Sequence, residues 1–226
     1  SYSAFSGIFC AVIFSPDHLS LVKDGPDVRR QMIDISLTQA YPKYAKALDN
    51  YTKALRQRNR LLKDIPENQQ LKELLGLWDD HIINYGGYIS VLRARYCRPL
   101  ALHAGNIYQG ISSGKETLTL TYQPSVPEPK DQLDLESFQK AIEKGLKENR
   151  NEDLRYGNTS VGPHRDDLLI EINGLSAREF GSQGQQRSAV LALKLAEAAI
   201  LEEQTGEPPV IMLDDVMSEL DEHRRS

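Results

Sequence analysis

Residues Val210-Ile211-Met212-Leu213-Asp214-Asp215 are four apolar residues followed at once by two carboxylates. A short apolar run of this kind predicts a buried strand of an α/β sheet, with the two acids at the carboxyl edge where such sheets bind ligands. There one carboxylate can hold Mg²⁺ against nucleotide phosphates, and the other can orient or deprotonate a water molecule. The six residues fit a strand that ends in an acidic turn equally well, so other segments must decide.

A polar loop, Gly181-Ser182-Gln183-Gly184-Gln185-Gln186-Arg187, lies about thirty residues upstream and opens into a helix predicted over residues 185–203. The first N–H groups of a helix are unpaired and carry partial positive charge, so together with the Ser182 hydroxyl they form a candidate anion site. An ordinary polar helix start is the alternative. A third segment, Ser218-Glu219-Leu220-Asp221, follows the acid pair and by itself reads as a helix cap.

Periodicity and turn residues predict the other elements. Pro26 begins a helix that Pro42 ends, and Asn173-Gly174 between two apolar runs predicts a β-hairpin. The predicted strands are residues 8–14, 116–122, 167–172, 175–180 and 210–213, and the further helices are residues 43–63, about 66–92, 134–148 and 185–203.

The composition is that of a globular protein: 226 residues, 40% hydrophobic and 26% charged. Residues 8–14 are too short an apolar run to span a bilayer, so no membrane association is expected. Two cysteines in a chain of this length cannot form a disulfide framework, which favours a reducing, cytoplasmic location.

The formal net charge of −5 is unevenly distributed. Residues 29–63 carry nine basic and two acidic side chains, a local charge of +7 that leaves −12 on the rest. The predicted helix 43–63 places five of the basic side chains on the face opposite Tyr44, Leu48, Tyr51 and Leu55. This basic stripe is either a solvated face or a surface that follows DNA phosphates, and it consists of Lys46, Lys53, Arg56, Arg60 and Lys63.

Taken together and in order, the polar loop, the acid pair and the segment after it resemble the signature loop, Walker B strand and D-loop of ATP-binding-cassette (ABC) ATPases. The finer resemblance is to the RecF family of bacterial recombination-mediator ATPases. The segments that carry it span nearly the whole chain and are residues 14–17, 25–30, 57–59, 162–168, 181–187 and 213–221.

The resemblance implies an α/β fold: the carboxyl half of an ABC-type ATPase head, a mixed sheet with flanking helices, interrupted by an α-helical arm. On this reading residues 1–17 supply a strand of the head, residues 18–113 form the arm, and residues 114–226 form the head lobe with the signature motif, Walker B and D-loop. The Asp79-Asp80-His81 cluster is interpreted as a wet helix face, and Trp78 as core.

The resemblance also implies the cofactors ATP and Mg²⁺ and a role for each site residue. Ser182, Gln183, Gly184 and Gln185 would form the signature that contacts ATP held by a second subunit. Asp214 would hold Mg²⁺, and Asp215 would polarise the attacking water as the catalytic base. Ser218 and Asp221 would form the D-loop. Most relatives outside RecF-like proteins carry Glu at the position of Asp215.

Three features depart from the family pattern. No GxxxxGK[ST] phosphate loop occurs, since Gly110-Ile-Ser-Ser-Gly-Lys-Glu116 has the wrong spacing and ends in Glu. No Gln occurs before Arg30 to act as the Q-loop residue, and His223 is too close to Asp221 to be the switch histidine. We therefore expect a chain that lacks the P-loop and the C-terminal end, and that is inactive in ATP hydrolysis alone.

In function, the resemblance implies ATP-dependent homodimerisation on double-stranded DNA at gaps and single-strand/double-strand junctions. It further implies recombinase loading with RecR and RecO, in DNA repair, replication, recombination and the SOS response. Two alternatives remain open: a DNA- or protein-binding module that never handles nucleotide, and another ABC head of the SMC, Rad50 or RecN kind.

Overall fold

The computed structural model describes residues 10–127 and 133–213. The chain divides into two compact units. The first, here called the sheet unit, comprises Ser1–Tyr41, Tyr96–Gln123 and Asp167–Ser226, and all described strands belong to it.

The second unit, here called the helical unit, comprises Pro42–Arg95 and Pro124–Asp166. The sequence predicted an arm over residues 18–113, and the contact pattern divides the chain elsewhere. Residues 18–41 and 96–113 group with the strands, whereas residues 124–166 group with the arm helices. Local periodicity cannot show such a division because it depends on contacts between segments that are distant in the chain.

The helices are α1 (Ser20–Lys23), α2 (Pro26–Ala40), α3 (Pro42–Asp64), α4 (Leu75–Ile111), α5 (Leu135–Glu148), α6 (Arg150–Tyr156), α7 (Ala177–Phe180) and α8 (Gln183–Thr205). Short 3₁₀ helices cover Pro16–Leu19, Gln69–Leu74 and Pro163–Arg165. The strands are β1 (Ala11–Phe14), β2 (Leu118–Gln123), β3 (Asp167–Ile172), β4 (Leu175–Ser176) and β5 (Val210–Leu213). No helix in the described ranges is both long and apolar enough to cross a membrane.

The strands form one parallel and one antiparallel arrangement, as the predicted mixed α/β class requires. β1 and β5 pair in parallel, from Ala11 opposite Val210 to Phe14 opposite Leu213. β2, β3 and β4 form an antiparallel sheet in that order. The parallel pairing places the carboxyl ends of β1 and β5 at the same edge.

The predicted hairpin is present, with Asn173 at φ +51° and Gly174 at φ +76°. Both positions therefore adopt the left-handed conformation that a tight hairpin turn demands. The second strand is shorter than predicted, because the backbone of Ala177–Phe180 turns into α7 after Ser176 caps it. The Ser176 hydroxyl accepts the Glu179 N–H, and a capped turn of helix replaces the ladder there.

The helix predicted to be buried on most sides is α8, and this is confirmed by its burial pattern. Ala198 and Leu201 pack against Val12 of β1, which joins the helix to the parallel strands. The third predicted helix is much longer than expected, because α4 continues through Pro99 to Ile111. Tertiary packing overrides the cost of the one backbone hydrogen bond that proline removes.

Candidate functional site

The candidate anion site lies at the start of α8, where Ser182 caps the helix. The Ser182 hydroxyl oxygen accepts the N–H of Gln185 at 3.2 Å, and the Gln185 side-chain carbonyl accepts the N–H of Ser182 at 2.8 Å. This reciprocal capping box ties Ser182 to the first turn of α8. The Ser182 hydroxyl hydrogen has no acceptor among the described residues, so it is available to an anion.

Two further side chains fix Gln185 in place. Its side-chain N–H₂ donates to the Glu116 carboxylate at 2.9 Å, and the other carboxylate oxygen accepts the Tyr108 hydroxyl at 2.8 Å. Glu116 is the residue that disqualified the Gly110–Glu116 segment as a P-loop. The structure confirms that interpretation, since the segment runs from the end of α4 through a turn to β2, the reverse of strand, loop and helix.

The approach to the loop is tightly packed at Gly181. A Cβ at this position would lie 2.5 Å from the carbonyl oxygen of Ala177, so only glycine fits. Ser182 and Gln183 themselves are exposed, and Gly184 and Gln185 are half-buried. The start of α8 therefore lies at the surface, where the capping box uses the N–H groups of Ser182 and Gln185 and the Ser182 hydroxyl hydrogen stays available to a ligand.

The predicted catalytic and metal residues Asp214 and Asp215, and the D-loop residues Ser218 and Asp221, lie outside the described residues. The strand that leads to them is present as β5, and its carboxyl end lies beside that of β1. Within the described ranges no group of three or more His, Cys, Asp or Glu residues could hold a metal ion. The assignment of Mg²⁺ to Asp214 stays a prediction.

One expectation about this strand is wrong for the described part of the chain. Val210, Ile211 and Met212 were expected to be buried, and each is 44–45% exposed. The reason is that β5 pairs with β1 alone among the described strands, which leaves one edge of it without a neighbour.

The turn after β1 occupies the place where a Q-loop was expected, and it is organised by His18. The Ser15 N–H donates to His18 Nδ1 at 2.9 Å. Partial burial, together with the positive charge of Lys194, lowers the pKa of His18, which favours the neutral ring that accepts this bond. Lys194 is itself paired with the buried Glu197 of α8.

The five residues of the basic stripe lie on the exposed face of α3, as predicted. Lys53 pairs with Asp49 at 2.7 Å and Arg60 lies 3.8 Å from Asp64, both as exposed pairs along the helix. Such pairs are weak and give way to a phosphate at little cost. The buried face of the helix carries Tyr44, Ala47, Tyr51, Ala54, Arg58, Leu61 and Leu62.

Sequence reasoning missed the role of Arg58, which belongs to the basic segment but is fully buried. Its guanidinium donates to Asp79 and to Asp153, each at 2.7 Å, and to the Thr159 hydroxyl at 2.8 Å. The neighbouring Asn59 accepts the Thr159 N–H at 2.8 Å. Asp79, interpreted from sequence as part of a wet face, is therefore a partner of a buried cation.

The same network reaches the Gly162-Pro163-His164-Arg165-Asp166 segment. His164 Nε2 donates to the Thr159 carbonyl at 2.9 Å, so its Nδ1 accepts the Tyr51 hydroxyl at 2.7 Å. Complete burial and the Asp166 carboxylate raise the pKa of Tyr51 far above its usual value, which keeps that hydroxyl protonated. Residues 57–59 and 162–166, which are distant in the sequence, thus meet in one structural network.

No protein-family model matches the chain. Individual proteins do match: the chain is 42% identical over 224 residues to the DNA replication and repair protein RecF of Enterococcus faecalis, covering 99% of this chain and 60% of that protein. It is 44% identical over 218 residues to the protein of the same name from Natranaerobius thermophilus, covering 95% of this chain and 56% of that one.

Two solved structures of the recombination mediator protein RecF in the RecFOR pathway also match. The one described with ATPrS superposes with a TM-score of 0.91 at 39% identity, and covers 99% of this chain and 60% of that one. The one described with ATP has a TM-score of 0.88 at 40% identity, and covers 97% of this chain and 58% of that one.

The α/β fold class is therefore confirmed: helices combine with a parallel strand pair and an antiparallel sheet, and the two solved RecF structures share this fold. The finer resemblance is confirmed as well, since the chain is homologous to RecF over nearly its whole length. It spans about three fifths of the length of the curated relatives that it matches.

Proposed function

We propose that this chain carries the signature-loop part of a RecF-type DNA-repair ATPase. Ser182 and Gly184 contact the γ-phosphate of ATP that is bound by a second subunit, so ATP joins two subunits. The observation that carries the proposal is the start of α8, exposed and capped by Ser182, with Gln185 anchored to Glu116. The exposed N-terminus of a helix is suited to a phosphate. The relatives and solved structures support it through their names, which speak of DNA replication and repair and of ATP.

The remaining roles in this proposal follow the motif order. Asp214 holds Mg²⁺, Asp215 polarises the attacking water, and Ser218 and Asp221 reach across the subunit interface. Asp215→Asn keeps the length of the side chain but removes its charge. It is expected to retain ATP-dependent association and to slow hydrolysis strongly once the missing P-loop segment is supplied to this chain itself. Near-normal turnover would remove Asp215 from the mechanism.

The dimer is proposed to form on double-stranded DNA at gaps and single-strand/double-strand junctions, and to promote recombinase loading with RecR and RecO. Hydrolysis then releases it. The basic stripe of α3 supports the DNA part of the proposal, because all five of its cations lie on one exposed face of α3. Its contacts would be to phosphates and would carry no base sequence preference.

The experiment that tests the nucleotide proposal uses the Enterococcus faecalis relative as the ATP-bearing partner. The chain is labelled with a fluorophore, and its sedimentation velocity is measured with and without the unlabelled relative and Mg-ATP. We expect a heavier species only when both are present. Association that does not depend on ATP, or tight ATP binding by the chain alone, would contradict the proposal that the chain contacts ATP bound by a second subunit.

Ser182→Arg is the decisive variant, because its side chain crowds the phosphate position. We expect it to abolish the ATP-dependent species. Glu202→Arg introduces the same side chain at an exposed position near the other end of α8 and serves as the matched control. If both variants behave like the unmodified chain, the α8 N-terminus is not at the interface, and a binding module that never handles nucleotide becomes the better reading.

A further inference from the structure

The helical unit contains a row of aromatic rings on α4 that the proposed function does not use. Trp78, His81, Tyr85 and Tyr88 recur at spacings of three, four and three, which places them on one side of the helix. All four are only half-buried. The rings of Trp78 and His81 lie 5.7 Å apart, and those of His81 and Tyr85 lie 5.9 Å apart and nearly parallel, at 8°. These residues are called the aromatic row below.

The aromatic row ends in a pocket of about 310 Å³ between α3 and α4. Tyr85 and Tyr88 form one side of it, and the other side is supplied by Lys43, Lys46, Ala47 and Asn50. This volume is at the lower end of those that hold small organic groups, roughly 300–1,000 Å³. The pocket therefore combines flat apolar rings with ammonium groups in one place.

The two lysines of the pocket carry uncompensated charge. Neither Lys43 nor Lys46 forms an ion pair with any residue in the described ranges, and both are exposed. Asn50 and Lys53 follow Lys43 and Lys46 on the same side of α3, where the exposed Asp49 pairs with Lys53. This part of α4 has two acidic residues, Asp79 and Asp80. Asp79 is bound to Arg58, and Asp80 lies on a different side of the helix from the aromatic row.

We propose that this surface binds unpaired bases of single-stranded DNA, with bases stacked on the aromatic row and the backbone phosphates held by Lys43 and Lys46. Proteins hold single strands by combining aromatic rings with nearby cations, since every base has a face to stack and every nucleotide has a phosphate. A duplex hides its base faces and cannot use the rings. This inference rests on the proposal that the chain binds DNA, and it assigns the single-stranded side of a junction to α4.

The charge of the pocket favours this occupant over an apolar protein segment. A helix or strand of a protein partner would cover the rings but would leave two unpaired ammonium groups at the edge of the contact, which costs desolvation without a partner. Single-stranded DNA can stack its bases on the aromatic row and pair its phosphates with the two lysines at the same time.

The test uses Trp78, which is the only tryptophan in the chain. The chain is titrated with three strands of equal length, namely oligo-dT, an abasic strand with the same phosphates, and a blunt duplex, while the Trp78 emission is followed. We expect quenching by oligo-dT that saturates, and little or none by the abasic strand or the duplex. Fluorescence anisotropy of the labelled strands reports binding in each case, whether or not Trp78 responds.

Two sets of variants separate the rings from the charges. Tyr85→Leu and Tyr88→Leu keep apolar volume but remove the stacking face, and each is expected to weaken oligo-dT binding between about 5-fold and 150-fold. Lys43→Gln with Lys46→Gln is expected to lower the slope of log K against log[salt] for oligo-dT by roughly 1.4. Tyr156→Leu, at an exposed tyrosine of the same unit, and Lys144→Gln, at an exposed lysine of α5, are the matched controls.

Equal binding of the abasic strand and oligo-dT would overturn the inference, because it would show phosphate contact alone. So would an effect of Tyr156→Leu as large as that of Tyr85→Leu. Absence of oligo-dT binding by anisotropy, with duplex binding intact, would refute this site and leave the proposed DNA binding standing. Absence of binding to all three strands would contradict both.

Discussion

Arg58 is the residue whose environment most constrains the helical unit. Its side chain and that of Asp153 are both fully buried, and their ion pair is completed by Asp79. Buried charges are tolerated when they are paired, because removing one partner leaves the other desolvated without compensation. The set joins α3, α4 and α6.

We expect Arg58→Ala to lower the free energy of unfolding by about 3–5 kcal/mol, since it leaves the fully buried carboxylate of Asp153 without its cation. Urea unfolding followed by Trp78 emission measures this, because Trp78 packs against the apolar cluster of the same unit. Arg60→Ala, two residues away but with an 81% exposed side chain, is the control and is expected to change stability by less than about 0.5 kcal/mol. Equal effects of the two substitutions would show that the buried pair does not stabilise the unit.

His18 gives the sheet unit a pH dependence of known sign. Its pKa is lowered from 6.5 in the folded chain, mainly by burial and then by Lys194. Between the folded and the ordinary pKa the unfolded chain binds more protons, so stability falls as pH drops below about 6.5. We expect the ring to titrate below 6.5 by NMR.

The contribution of His18 to stability can be isolated by substitution. His18→Asn keeps an acceptor for the Ser15 N–H but cannot titrate. We expect its free energy of unfolding, measured by circular dichroism at pH 5 and pH 7.5, to depend less on pH than that of the unmodified chain. The same pH dependence in both would assign the effect to other groups.

At the scale of elements, the β3–β4 hairpin depends on the backbone of Gly174. Its φ of +76° is unfavourable for residues with a Cβ, although the space around it is open and no atom lies within 4 Å of the place that a Cβ would take. Gly174→Ala is therefore expected to cost about 1–2 kcal/mol through conformation alone. Gly174→Asn should cost clearly less, because Asn tolerates the left-handed region. Thermal unfolding of the two variants provides the comparison, and equal losses would contradict the conformational explanation.

At the scale of the whole molecule, the distribution of charge matters more than its sum. The chain carries −5 overall, but the basic stripe lies together on α3. A protein of negative net charge binds duplex DNA only through such a concentrated surface, and each phosphate contact adds about 0.9 to the salt slope.

Changing Lys53, Arg56 and Arg60 together to Glu is expected to weaken duplex binding and to reduce the slope of log K against log[salt] by up to roughly 2.7. Fluorescence anisotropy at several salt concentrations measures both. The matched control changes Lys140, Lys144 and Lys147 of α5, whose side chains are 70–75% exposed in the same unit. Unchanged duplex binding at low salt would refute the role of the stripe. An equal loss of binding in the control would show that the effect comes from overall charge and not from the position of the stripe.

Local features of the sequence determined much of the fold and part of the site. The Asn173-Gly174 turn, the exposed face of α3 and the cap at Ser182 each depend on residues within one or two turns of backbone, so periodicity and spacing predict them. The motifs that indicated RecF are likewise short and local, and the resemblance they predicted is confirmed.

Only the tertiary structure decided which distant residues meet. Glu116 reaches Gln185 across 69 positions of chain, and Arg58 reaches Asp153 across 95. The sequence around Arg58 is that of an exposed basic helix, and only the packing of α3 against α4 places Lys43 and Lys46 beside Tyr85 and Tyr88. The physical reason is that spacing along a helix or strand specifies which face a side chain occupies, whereas burial and ion pairing depend on what packs against that face.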